Sequence, residues 1–238
     1  MATALTFAIG DIHGCFDELR SLLELCTNAG GVEHDFVFLG DYVDRGPASN
    51  EVVAYLMQAQ AASLTRFRCM LGNHDDMLCI AADRARDEAD LIRWWANGGE
   101  ATLDSYGIGD PADLPAEHLA WLQALPVCLH ERDRFFVHAG IRPGVPLDAQ
   151  WRHDLLWIRE PFLSSEAWHG AFVVHGHTPT PTSAPDLRPN RVNLDTGACF
   201  GRALTAAAFS PTQSFPAFFV NSDGLRFEAR AARGSHRT

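Results

Sequence analysis

Lysine is missing from this sequence: all 19 basic residues are arginine, set against 30 aspartates and glutamates, for a formal net charge of -11. That balance excludes the broad basic surfaces on which bulk binding of nucleic acid or of an anionic membrane depends. It does not exclude an anionic substrate, because divalent cations in a site would dominate the local field. Long apolar runs are missing too. The longest cover about five to seven residues, where a membrane-spanning helix needs roughly 20. No positively charged segment with a long apolar stretch stands at the start. These absences predict a soluble, cytoplasmic protein. Six cysteines (Cys15, Cys26, Cys69, Cys79, Cys128, Cys199) include no C-x-x-C pair. Their mostly apolar surroundings predict reduced thiols that pack as small core residues.

What is present suits one globular domain. At 238 residues and 47% hydrophobic composition, the chain can bury one sizeable core. We place that domain at residues 1–230, with a frayed tail at 231–238. One arrangement recurs five times: an apolar, strand-like run followed by a glycine or small residue among Asp, Asn and His. LTFAIG leads into Asp11 and His13, FVFLG into Asp41, and RCMLG into Asn73 and His74. RFFVHAG carries His138, and AFVVHGHT carries His175 and His177. Short continuous apolar runs mark strands covered on both faces. Ligands of α/β sheets gather beyond the carboxyl ends of such strands, so five runs ending in coordinating side chains predict one shared site.

Between these runs the spacing predicts helices over residues 16–28, 49–61 (capped by Ser49 or Asn50), 75–86, 91–97 and 114–125. Residues 84–90 read as a solvated, charged helix face. Strands are expected over 191–194, 203–209, 217–220 and 225–229, with a Pro-rich loop at 178–190.

The residue types specify the chemistry. Asp11 and His13 sit two apart on a turn loosened by Gly10 and Gly14, so carboxylate and imidazole can approach one ion; an Asp-capped helix start with an incidental His is the plainer alternative. Asp41 directly follows a buried strand, and its two oxygens can bridge cations about 3.5–4 Å apart. Arg45 offers a forked donor set for a phosphoryl group. Asn73 can coordinate through its amide oxygen, or simply cap a helix. His74 can protonate a leaving oxygen if a carboxylate orients it. His138 and His177 can complete a second metal shell. Oxygen and nitrogen ligands without thiolate suit Mn, Fe or Zn.

GDIHG, GDYVDRG, GNHD, HAG and HGHT, in that order, resemble the phosphoprotein phosphatase branch of the calcineurin-like metallophosphoesterases, and especially small bacterial and phage serine/threonine phosphatases. The resemblance covers Asp11 to about Gly197. It implies an α/β (α+β) fold of four αββα layers, a central β-sandwich flanked by helices, with two divalent metal ions, usually Mn. Carried over by motif, Asp11 and His13 would hold the first metal, Asp41 would bridge, and Asn73, His138 and His177 would hold the second. His74 would be the general acid, oriented by Asp44. Arg45 and, from the LLWIREPF stretch, Arg159 would bind phosphate. The implied reaction is in-line attack on a phosphate ester by a hydroxide bridging the metals, on a phosphorylated protein or a small phosphoester.

Some positions depart from the pattern or lack a role in it. Leu71 stands where some small phosphatases carry Arg before GNH, and GNHD replaces the commoner GNHE. Asp195, in LDTGA, supports the site or shapes a strand turn. His175 is expected to make a structural hydrogen bond. The histidines His34, His118, His130, His153, His169 and His236 are read as surface or packing residues, and Trp94 and Trp95 as core. Rival readings are a symmetrical dinucleoside tetraphosphate hydrolase, a phosphodiesterase, and a metal-stabilised binding domain without catalysis. Residues 101–114 and 178–190 are the loops expected to set specificity.

Overall fold

The computed structural model describes residues 5–30 and 34–229; the expected tail and His236 lie outside them. In chain order come β1 (Leu5–Ile9), α1 (Phe16–Gly30), β2 (His34–Phe38), α2 (Ser49–Ala62), β3 (Phe67–Cys69) and α3 (Asn73–Ala81). There follow α4 (Glu88–Ala96), α5 (Glu100–Tyr106), α6 (Ala116–Gln123), β4 (Cys128–Glu131), β5 (Arg134–Val137) and α7 (Arg152–Trp157). The last third holds β6 (Phe172–His175), β7 (Asp186–Leu187), β8 (Arg191–Asn193), β9 (Thr205–Phe209), β10 (Phe218–Asn221) and β11 (Arg226–Glu228).

The strands form two sheets, ordered β11-β10-β9-β1-β2-β3 and β4-β5-β6-β8-β7. In the first, β1, β2 and β3 run parallel; in the second, β5, β6 and β8 do. Alternation along each strand explains why the sheets stack. In β1, Phe7 and Ile9 join Leu19, Leu22 and Cys26 of α1, while Ala8 turns to Phe136, Val174 and Phe209 between the sheets. In β5 and β6, Phe135, Val137 and Val173 face outward onto Leu155, Ile158 and Phe162. Strands buried on both faces read as continuous apolar runs, and this is why the motifs stood out in the sequence. Two sheets face each other with helices outside, as expected. The outer cover of the second sheet is slight, however: α7 and the loop after it.

Several boundaries differ from expectation. Helix α2 starts at Ser49 with Ala48 at its N-cap and no side-chain cap; Ser49 instead meets Thr102 Oγ1 at 3.3 Å, and the Asn50 amide donates to Ser105. Helix α3 stops at Ala81, and residues 84–87 are turn rather than helix. There Arg84 pairs with Asp113 and Arg86 with Asp110, drawing the chain toward the 110–113 segment. The 178–190 loop contains the short strand β7, paired antiparallel with β8. All six cysteines are free. No helix among the described residues is long and apolar enough to cross a membrane.

Candidate metal centre

The two sheets bring the carboxyl ends of β1, β2, β3, β5 and β6 to one edge, and the residues just beyond those ends meet there. Getting them in costs backbone strain. Of the six described non-glycine residues with positive φ, five belong to this place: His13 (46°), Asp41 (55°), Asp44 (69°), Arg45 (69°) and His177 (68°). Each such conformation costs about 1–3 kcal/mol and persists only where its surroundings enforce it. Close approach is enforced by glycine: a Cβ at Gly72 would collide with the Asp41 carboxylate, and one at Gly176 with that of Asp11.

Asp41 lies at the middle. Its Oδ2 is 3.3 Å from His13 Nε2, its Oδ1 3.5 Å from His138 Nε2, and Oδ1 also accepts the His74 amide at 2.9 Å. Asp11 accepts the His177 amide through both carboxylate oxygens at 3.1 Å. Asn73 Oδ1 stands 2.8 Å from both His138 Nε2 and His177 Nδ1. Asp11, His13, Asp41, Asn73, His138 and His177 are each no more than 6% exposed. Ligand atoms of Asp11, Asp41 and His138 lie within 4.8 Å of one another, as do those of His13, Asp41 and His74.

The donor set fits divalent cations. His13 Nδ1 is 2.8 Å from the Val43 carbonyl and His138 Nδ1 is 2.9 Å from that of Leu39. Each imidazole donates its proton there and turns the bare Nε2 inward. Burial also holds these rings neutral, lowering His13 well below its ordinary pKa and His138 to about 3. His177 is lowered to about 2, and its Nε2 is buried without a protein partner. His138 Nε2 therefore meets Asn73 Oδ1 as acceptor to acceptor, whereas His177, its Nε2 unpartnered, donates to the same oxygen from Nδ1. Either a cation lies among them or the amide turns its NH₂ inward. The carboxylates fit a cation: burial pushes Asp11 and Asp41 well up, each also facing a second carboxylate, Asp195 for Asp11 and Asp75 for Asp41. Buried like charges at this density call for a counter-charge.

Beside this cluster a second network is complete within the protein. Asp44 Oδ2 accepts from His74 Nδ1 at 2.8 Å, while Asp44 Oδ1 accepts from Trp94 Nε1 at 2.9 Å and Thr102 Oγ1 at 2.8 Å. Arg45 donates to His74 Nε2 and His13 Nε2, both at 2.8 Å. Burial raises Asp44 to about 7, opposed by the Thr102 and Trp94 hydrogen bonds, and burial with the Arg45 charge lowers His74 to about 3.

The ten residues singled out from sequence thus fall unevenly. Nine converge directly. Arg159, on the exposed segment after α7, reaches the site only through its field, which acts on His138, His177 and Asp195. Asp195 does both things expected of it: its Oδ1 caps the Gly197 amide at 3.1 Å, and its charge bears on Asp11. His175 lies buried with Nδ1 3.1 Å from the Gly176 carbonyl and Nε2 accepting from Arg191, a structural placement. Leu71 is 2% exposed, packed in the core rather than facing the site. Trp94 is core, but Trp95 is 45% exposed, against expectation, because α4 has only one buried side. Sequence reasoning missed Thr102, the Trp94 hydrogen bond and Asp75. The Asp75 carboxylate takes the amides of Gly72, Asp41 and Tyr42 at 2.8–2.9 Å and so ties two of the motif turns together. Its place in GNHD was the available signal; Thr102, distant in sequence, offered none. The two segments expected to set specificity part ways: 101–106 is helix α5 rather than loop and reaches Asp44 through Thr102, while Thr182, Ser183 and Ala184 of the other line a cavity of about 640 Å³ with Gly201, Arg202 and Asn221.

Comparison with known proteins agrees with this geometry. Residues 6–202 match the calcineurin-like phosphoesterase family, and the chain belongs to it. The family is one of phosphoesterases that work with a dinuclear metal centre. The chain is 32% identical over 219 residues to serine/threonine-protein phosphatase 1 of Salmonella typhimurium, covering 84% of this chain and 90% of that one. It is 38% identical over 138 residues to the symmetrical bis(5'-nucleosyl)-tetraphosphatase of Dechloromonas aromatica, but there the match spans 58% of this chain and only 44% of the relative. The crystal structure of a putative diadenosine tetraphosphatase superposes with a TM-score of 0.68 at 22% identity, covering 98% of this chain and 96% of that one. That likeness concerns the fold.

Proposed function

We propose that this protein is a phosphomonoesterase of the serine/threonine-phosphatase type, with Asp11 and His13 holding one divalent cation, Asn73, His138 and His177 a second, and Asp41 bridging them. One observation carries the reading: the two oxygens of Asp41 point to different imidazoles, Oδ2 to His13 and Oδ1 to His138. When bound, the cations, manganese being our expectation and iron or zinc the alternatives, supply Lewis-acid charge and an acidified water as nucleophile.

The chain's own groups do the rest. Arg45 and Arg159 hold phosphoryl oxygens and offset the charge that gathers on them. His74 gives a proton to the leaving oxygen, and Asp44 keeps the ring turned so that Nε2 faces the site. Burial is the larger cause that lowers His74, and a phosphoryl dianion beside Arg45 opposes the smaller one, the arginine's positive field. The near full-length similarity to the Salmonella phosphatase supports this substrate class.

A second reading is hydrolysis of dinucleoside tetraphosphates, favoured by the higher identity to the Dechloromonas relative. A metal-reconstituted panel of phosphopeptides, nitrophenyl phosphate and dinucleoside tetraphosphate separates the two. Turnover led by the monoesters is expected. Strong preference for the dinucleotide would replace the substrate class and leave the metal site standing, and inactivity on every ester would favour a non-catalytic domain.

A further inference from the structure

The segment after LDTGA puts a large aromatic side chain in the open beside the site. Phe200 is 59% exposed, yet its ring centre lies 5.8 Å from the Arg45 guanidinium carbon. Arg45 in turn touches both His13 Nε2 and His74 Nε2, so the ring is one side chain away from the proposed proton donor. It is also fixed. Ala198–Phe200 is a single 3-10 turn set between two left-handed glycines, Gly197 (φ 82°) and Gly201 (φ 77°), and the Phe200 amide donates to the Gly197 carbonyl at 2.9 Å. Gly197 also packs under the ring: a Cβ there would come within 3.3 Å of Phe200 Cδ2. An exposed apolar ring carried on a fixed turn beside the proposed phosphate-binding arginine offers a flat, electron-rich surface next to the proposed phosphate site.

We infer that Phe200 is a specificity residue that stacks on a flat aromatic ring in the substrate's leaving group, selecting aromatic over aliphatic phosphoesters. The inference rests on the phosphomonoesterase part of the proposed reading and moves its substrate class from aliphatic serine and threonine esters to esters with an aromatic leaving group. Aryl or tyrosyl esters and nucleotides both supply such a ring, and stacking on one aromatic face tolerates either.

The test uses the metal-loaded protein and two esters of similar leaving-group acidity, benzyl phosphate and cyclohexylmethyl phosphate. Phe200→Ala should lower the benzyl-to-cyclohexylmethyl ratio of kcat/KM by about ten-fold, mainly through KM, and Phe200→Trp should hold or raise it. An unchanged ratio with both esters slowed equally would overturn the inference, leaving Phe200 as a support for Arg45. Calorimetric binding of benzylphosphonate against cyclohexylmethylphosphonate, parent against Phe200→Ala, reads the same selectivity without turnover. A protein inactive on all esters that still binds the benzyl compound more tightly would therefore sink the esterase reading alone. Parallel assays of a phosphotyrosine peptide and a nucleoside polyphosphate then show which source of the ring Phe200 favours, by which of them loses more in Phe200→Ala.

Discussion

Around Asp44, every polar side-chain atom of the His74–Asp44 pair has a protein partner; around Asn73, His138 Nε2 meets Oδ1 at 2.8 Å as acceptor to acceptor, and His177 Nε2 has no partner. The two regions share one cleft and the same degree of burial, so burial does not account for the difference. In the proposed reading the first region holds a proton donor, and hydrogen bonds from Trp94 and Thr102 to Asp44 fix its orientation within the fold. The second gathers buried carboxylates and imidazole nitrogens, of which His13 Nε2 meets Arg45 and His177 Nε2 meets no protein partner. One network is thus complete in the polypeptide and the other is completed by what binds. The strained φ values of His13, Asp41 and His177 belong chiefly to the second, where the fold itself maintains the geometry.

The largest effect should come from breaking the cation-dependent side. Asp41→Asn removes the shared carboxylate, and we expect bound metal to fall and turnover to drop by at least ~10³-fold, a scale set by groups that act as a unit. Full activity with unchanged metal content by elemental analysis would refute the bridging role. On the preformed side, His74→Asn should cost about 10²–10⁴-fold on an alkyl phosphate and much less on nitrophenyl phosphate, whose leaving group needs no proton. Equal losses on the two esters would count against the acid role.

Smaller losses should follow from loosening the support behind Asp44. Trp94→Phe or Thr102→Val each removes one donor to Oδ1, and a fall of about ten-fold in kcat with unaltered metal affinity is expected. A change in metal affinity instead would mean that the two networks are not separable. The last effect concerns stability. Burial lifts Asp44 to about 7, so in chelated protein its contribution is full below the unfolded value near 3.8 and is lost as pH rises through 7. Asp44→Asn stays neutral, so in chelator its denaturation free energy relative to the parent should improve between pH 4 and 8, by on the order of 4 kcal/mol. A pH-independent difference would show that Asp44 ionises as freely in the folded chain as in the unfolded one.

The sequence by itself determined the candidate ligand residue types and the strands that carry them. Asp11, His13, Asp41, Asn73, His138 and His177 were legible because each follows an apolar run that two-sided burial makes continuous. The helices were legible as periodicity, though the capping of α2 and the end of α3 were not, since distant contacts with Thr102, Asp110 and Asp113 settle them. Only the tertiary structure decided which donors face which. Thr102 reaches Asp44 across 58 residues and His177 reaches Asp11 across 166, separations at which local pattern holds no information. It also decided that Trp94 is a hydrogen-bond donor, that Leu71 is core, and that Phe200 stands in the open beside Arg45. The physical reason is the same in each case: side-chain chemistry is written locally, but orientation and burial come from the packing of one sheet on another.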